Sequence, residues 1–155
     1  MEAKTRKIAI KVFTVFLGFI FFIIGGLIYL TYRSRSLRMF DWADKISANN
    51  IVNYLREFAE VHPCNSVFTK FSLPDGLWVI SYVLIMSSLW DFKVKSNFII
   101  ISLIPFIAIL SELLQLFKFI PGVFDIKDLI AYLAAYILGI VYSIICGKLI
   151  YKQLM

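Results

Sequence analysis

The chain has 155 residues, 61% of them hydrophobic, and a mean hydropathy of +0.84. That leaves too little polar surface to cover a soluble globule of this size, so the composition excludes a water-soluble domain and specifies an integral membrane protein. The formal net charge of +6 is read as attraction to anionic headgroups, and nucleic-acid binding is set aside because no soluble domain carries a basic stripe.

The first element in chain order is the uncharged run Val12 to Tyr32, long enough for the roughly 20 residues that cross a hydrocarbon core. Lys4, Arg6, Lys7 and Lys11 precede it and imitate the basic flank of a secretory signal. The run exceeds the roughly 7 to 15 residues of a signal core and no small-residue cleavage pattern follows, so an uncleaved signal anchor is expected.

Residues 33–73 form the one sizeable water-facing piece, too short for an independent domain. Phe40, Trp42, Ala43 and Ile46 are assigned to one side of a short helix. Asn50 is placed as the cap of a second, with Ile51, Leu55 and Phe58 on its apolar face and Arg56, Glu57 and Glu60 opposite. The expected outcome is an amphipathic segment lying at the interface over the bundle, with a lid over a site or a docking surface as alternatives. His62, the sole histidine, sits in His62-Pro63-Cys64 without the partners of a zinc site and reads as an ordinary loop residue.

Three further apolar runs follow. Gly76 to Trp90 and Leu129 to Gly147 lack any charge, and Ser96 to Phe117 is interrupted only by Glu112. The second run reaches spanning length if Leu73 and Pro74 are added. The sequence therefore predicts an all-α membrane protein, a single domain over residues 1–155 built as a four-transmembrane-helix bundle. Its spans lie near 12–32, 74–90, 96–117 and 128–147. Cys64 in the first loop and Cys146 near the far end of the fourth helix fall on opposite faces, which excludes a disulfide between them.

With an inside N-terminus, the inner segments carry Lys4, Arg6, Lys7, Lys11, Lys93, Lys95, Lys148 and Lys152 close to helix ends. An equal number of cations is spread over the longer outer segments, so the positive-inside bias places both termini in the cytoplasm.

A carboxylate at bilayer depth costs roughly 2.5 to 3.5 kcal/mol on insertion scales, so Glu112 is a functional hypothesis in itself. Ser72 with Asp75, and Asp125 with Asp128, each place a short acceptor three positions before a carboxylate, the pattern of a capping box. The macrodipole also favours these aspartates at a helix start. The alternating helix directions bring Asp75, Asp125 and Asp128 to one membrane face. Glu112 lies there too, about 8 Å below the end of its helix, with Gln115 on the same helical face. A polar cavity lined by Glu112, Gln115, Asp125 and Asp128, with Asp75 nearby, is one reading. The other has Glu112 snorkelling to pair with Lys118, Lys127 or an arginine after the first helix.

Ala131, Ala135, Gly139, Ser143 and Gly147 recur every fourth residue, a small-residue ladder for close helix packing within the chain. Gly25, Gly26 and Pro105 are expected to add local adaptability, and Trp78, Trp90, Tyr29, Tyr32, Tyr82 and Tyr151 to mark the interfaces as an aromatic belt.

The segment Glu112-Leu-Leu-Gln115, then Ile120-Pro-Gly-Val-Phe-Asp125-Ile-Lys-Asp128, resembles the signature of the VanZ-like family of small bacterial multi-spanning membrane proteins. The resemblance covers roughly residues 72–147. Val123 stands where the family usually has an arginine, and Tyr132 where it usually has an asparagine. The resemblance implies a bacterial plasma-membrane setting in the cell envelope; the family takes its name from a member linked to low-level resistance to glycopeptides of the teicoplanin type.

The favoured function is non-enzymatic: an acidic cavity that engages the headgroup of a bilayer lipid, a lipid-linked molecule or a membrane protein partner. No cofactor and no metal are expected for it. The alternative is a membrane enzyme acting on a lipid phosphate, with Glu112 as general acid or base and the Asp125/Asp128 pair holding a divalent cation. Proton or cation transport is a third reading, weakened by the lack of an inverted repeat.

Overall fold

The computed structural model describes residues 2–61 and 63–151, so His62 and Lys152 lie outside the described residues. Among them every regular element is a helix: α1 (Glu2–Tyr32), α2 (Arg38–Lys45), α3 (Asn49–Val61), α4 (Val67–Phe71), α5 (Leu73–Leu89), α6 (Phe98–Leu116) and α7 (Ile126–Tyr151). Three of them, α1, α6 and α7, are long and apolar enough to cross a membrane, and α5 is a shorter apolar helix packed among them. At 1.5 Å per residue α5 is about 25 Å long, a little under the hydrocarbon thickness of about 30 Å.

Two helices outrun their expected limits. α1 begins at Glu2 rather than near residue 12, and α7 continues to Tyr151 rather than ending near 147. Lysine and arginine are good helix formers, so charge marks where the apolar stretch ends without ending the helix. The extra turns are also anchored. Lys7 and Lys11, one turn apart, both reach Asp91 in the turn after α5, at 2.9 and 2.8 Å, and the Tyr151 hydroxyl donates to the Asp91 carbonyl at 3.1 Å. The start of α1, the 90–97 turn and the end of α7 therefore meet at one end of the molecule. The opposite end holds α2 to α4 and the 117–125 turn.

α5 is the central helix, touching α1, α4, α6 and α7. Its close neighbours meet it through small residues. A Cβ at Gly18 would lie 2.7 Å from Ile85, one at Gly25 would lie 2.9 Å from Trp78 Nε1, one at Gly76 would lie 3.2 Å from the Ala131 carbonyl, and one at Gly139 would lie 2.7 Å from Val83. Ala131, Ala135, Gly139, Ser143 and Gly147 are all buried. Gly25 is thus a contact point rather than a hinge. Trp78, expected in an interfacial belt, instead donates to the Phe22 carbonyl at 3.2 Å and packs on Tyr29. α6 turns Ile101, Pro105 and Glu112 inward along one stripe, which places Glu112 in line with core residues.

The segment between α1 and α5 departs from its predicted faces. Phe40 and Ala43 are buried, whereas Trp42 and Ile46 are 64% and 77% exposed. α3 starts at Asn49, ahead of its expected cap, and buries Val52 while Ile51 and Phe58 face outward. The cluster of Phe40, Ala43 and Val52 packs on Leu30 at the end of α1. Arg56, assigned to the polar face, turns in instead. It stacks over Phe40, donates to the Leu30 carbonyl at 3.1 Å and bonds the Arg33 carbonyl. The Leu30 carbonyl lies in the last turn of α1 and that of Arg33 just past it, where helix geometry leaves acceptors without intrahelical donors, so the guanidinium serves as a cap from another helix. Cys64 and Cys146 are free thiols.

Replacing Gly139 with leucine is expected to destabilise the protein by about 1–3 kcal/mol through overpacking against Val83, read as a lower unfolding temperature in detergent. The neighbouring lipid-facing Leu138→Val should change it by less than about 0.5 kcal/mol.

The Lys11 and Lys7 ammonium groups hold the Asp91 carboxyl below its ordinary value. A depressed folded-state value means that the stabilisation is complete above the unfolded value of about 3.9 and is lost as pH falls through the folded one. Asp91→Asn should therefore melt below the wild type at pH 7, and the gap should narrow as pH falls below about 3.9.

Candidate functional site

The end of the molecule opposite Asp91 gathers the polar groups that the apolar runs carry. α7 starts after Asp125, whose carboxylate accepts from Lys127 N at 2.8 Å while its carbonyl accepts from Asp128 N at 3.1 Å and Leu129 N at 3.2 Å. Asp125 is thus the N-cap, as the sequence pattern predicts. The return half of the expected capping box does not come from Asp128. It comes from Glu112 on α6, whose Oε2 accepts from Asp125 N at 3.3 Å. Glu112 is only 5% exposed and makes its bond inward, so it does not snorkel to a surface lysine.

The second expected capping box is absent. Ser72 adopts a helical conformation between α4 and α5, and its hydroxyl makes no cap bond. With α4 running into α5 at this point, few free backbone donors remain for it to satisfy. Asp75 turns instead to Arg33, just past the end of α1, which donates Nη2 at 3.3 Å to its carboxylate and at 3.0 Å to the Phe71 carbonyl. The guanidinium lies over both the Tyr29 and Phe71 rings, at 5.4 and 5.2 Å, a setting that suits arginine's flat, weakly hydrated cation.

Asp75, Glu112 and Asp128 lie within electrostatic reach of one another, and the Tyr132 hydroxyl falls in the field of all three. Gly76 is what lets the first turns of α5 and α7 come together, because its missing side chain admits the Ala131 backbone. Three carboxyl groups thus share the neighbourhood of a single arginine, which bonds only one of them, Asp75. Several polar atoms here are buried and unpartnered, namely Arg33 Nε, Ser72 Oγ and Asp128 Oδ1. Unsatisfied groups of this kind are rare in native interiors and call for a physical account.

No family profile, curated protein or solved structure matches this chain.

Of the residues expected here, Glu112, Asp125, Asp128 and Asp75 come together. Gln115 does not join them. Its amide lies over Gly122, where an added Cβ would sit 2.6 Å from the side-chain carbon, and Gly122 has a φ of +139°. The long side chain reaches out from its helical face to brace the 117–125 turn. Among the described residues no three His, Cys, Asp or Glu side chains are grouped so as to hold a metal ion.

Tyr132 is not among the residues that the sequence pattern assigns to this site, while Ser72 enters there only as a cap beside Asp75 and Arg33 only as one of the arginines after the first helix that could pair with Glu112. Arg33 is the first cation after the α1 apolar run, and Tyr132 lies one turn beyond Asp128. Both signals exist in the sequence, but only the packing of α1 and α5 connects them.

Arg33→Met should lower stability by about 1–3 kcal/mol by leaving the Asp75 carboxylate without its partner. The double variant Arg33→Met/Asp75→Asn should recover most of that loss, a non-additivity measurable as a double-mutant cycle of detergent melts.

Proposed function

We propose that this chain is a non-enzymatic, multi-pass protein of a bacterial plasma membrane, related to the VanZ-like proteins. Its acidic end receives a positively charged group carried by a lipid headgroup, a lipid-linked molecule or a partner helix. In this reading the chain crosses the bilayer four times, with α5 completed by its flanking residues, and both termini are cytoplasmic. The acidic end then faces outward. The observation that carries the reading is the buried, unpartnered Asp128 Oδ1 in a group of three carboxyls, Asp75, Glu112 and Asp128, that has one arginine, Arg33, bonded to Asp75. An incoming ammonium group would supply the missing donor and a further cation.

The topology is tested at Val123, which is 88% exposed in the 117–125 turn. In a Cys64→Ser background, Val123→Cys should react with a membrane-impermeant maleimide applied to intact cells; labelling only after permeabilisation would reverse the orientation. For the binding site, phosphatidylethanolamine is the probe, with phosphatidylcholine as the control whose methylated amine has no N–H to donate. Ethanolamine lipid should raise the unfolding temperature of the purified protein more than choline lipid, and Glu112→Gln/Asp128→Asn should remove the difference. Equal effects of the two lipids on the wild type would refute an amine-donor site.

A further inference from the structure

The other end of the molecule carries a second feature, independent of the acidic cluster. A cavity of about 400 Å³ lies between the 92–96 turn and the last turns of α7, lined by Phe92, Val94, Ile144, Gly147 and three lysines, Lys93, Lys95 and Lys148. None of these lysines has an ion-pair partner among the described residues, because the nearby Asp91 carboxylate is taken by Lys7 and Lys11. The lining itself is mostly apolar, so the three exposed lysines give it chiefly their aliphatic stems, and their charges have no counter-ion from the described residues.

The turn that presents them is strained and held in place. Asp91 and Phe92 both have positive φ, at 56° and 57°, a conformation that is a clear outlier for a residue as bulky as phenylalanine. It persists because its surroundings fix it on several sides. Phe92 N donates to the Ser87 carbonyl at 2.7 Å, the Phe92 ring is buried against Cys146 and Ile150, and Tyr151 bonds the Asp91 carbonyl. Gly147 lets the turn lie directly on α7, since a Cβ there would meet the Phe92 carbonyl at 3.0 Å. With Phe92 and Val94 buried, Lys93 and Lys95 between and beyond them are turned outward. Strain maintained in this way is a mark of a preorganised site.

We propose that this cavity binds the phosphate of an anionic phospholipid, with Lys93, Lys95 and Lys148 around the phosphate and an acyl chain lying along α7. The shared chemistry is that of a phosphate ester; the bilayer is its source because of what continues from the cavity. Val141, Ile144 and Lys148 form one stripe on α7 at helical spacing, and the two apolar members are exposed. The lysine thus ends an apolar track about 10 Å long, the layout a headgroup and its chain require. Basic pockets beside membrane helices are established seats for anionic headgroups.

The test uses the full chain, purified in a nonionic detergent, with unfolding temperature as the readout. Phosphatidylglycerol should stabilise it saturably and phosphatidylcholine should not. Each lysine contributes roughly fivefold in affinity at an anionic surface. Lys93→Gln/Lys95→Gln/Lys148→Gln should therefore raise the half-saturating concentration by about a hundredfold. Lys45→Gln/Lys118→Gln/Lys127→Gln removes the same charge at the opposite end and should leave it unchanged. Retention of phosphatidylglycerol stabilisation by the first triple variant, or its equal loss in the second, would overturn the site. Inorganic phosphate and glycerol 3-phosphate on the wild type need no variant; protection by either to the same extent as the lipid would overturn the bilayer as source.

Discussion

Everything in this fold depends on how closely α5 can be approached. Between helices immersed in lipid there is little hydrophobic drive to associate, so stability comes from van der Waals contact and from hydrogen bonds that the lipid cannot supply. α5 meets α1 over Gly18 and Gly25, and α7 over Gly76 and Gly139. Each missing side chain removes a barrier to backbone approach. The serines follow the same logic: Ser88 donates to the Lys11 carbonyl at 3.0 Å between α5 and α1. A larger residue at any of these points would hold the helices apart and separate the groups at both ends.

The two ends are chemically opposite, and each depends on a different use of charge. At the 90–97 end the carboxylate of Asp91 is enclosed by two lysines, and further lysines are left facing out. At the other end one arginine, lying over two rings, bonds one member of a group of three carboxyls. In both places the charged groups sit where helices start, stop or turn, outside the apolar middle of the bundle. Glu112 is the exception in sequence, and its inward bond to the start of α7 explains why it is tolerated.

Much of this is legible in the amino-acid sequence alone. Composition specifies a membrane protein, and period-four small residues from Ala131 to Gly147 mark the packing face of α7, because that pattern is a direct consequence of helix geometry. The convergence of Glu112 with Asp75, Asp125 and Asp128 follows from alternating helix directions. Partners set by side-chain reach are not legible in the same way. Arg56 looks polar and outward because its neighbours Glu57 and Glu60 are, yet its long stem carries it back to α1. Gln115 shares a helical face with Glu112, but its amide extends past that face to the turn. Trp42 and Ile46 read as sharing a face with Phe40 and Ala43 because hydrophobicity alone does not reveal which apolar residues of a short helix meet the rest of the protein.

The bond from Asp125 N to Glu112 also bears on how the chain is made. α6 leaves the ribosome before α7, and at that stage Glu112 has no donor within an otherwise apolar segment, the costly condition for a carboxylate entering a bilayer. The donor arrives only when the 117–125 turn closes and the first turn of α7 has formed. The two helices then share what neither has alone: α6 gains a donor for its buried acid, and α7 gains an acceptor at its otherwise unsatisfied start. Pairing α6 with α7 as a hairpin therefore makes the Glu112 carboxyl less costly in an apolar setting than it would be in α6 alone.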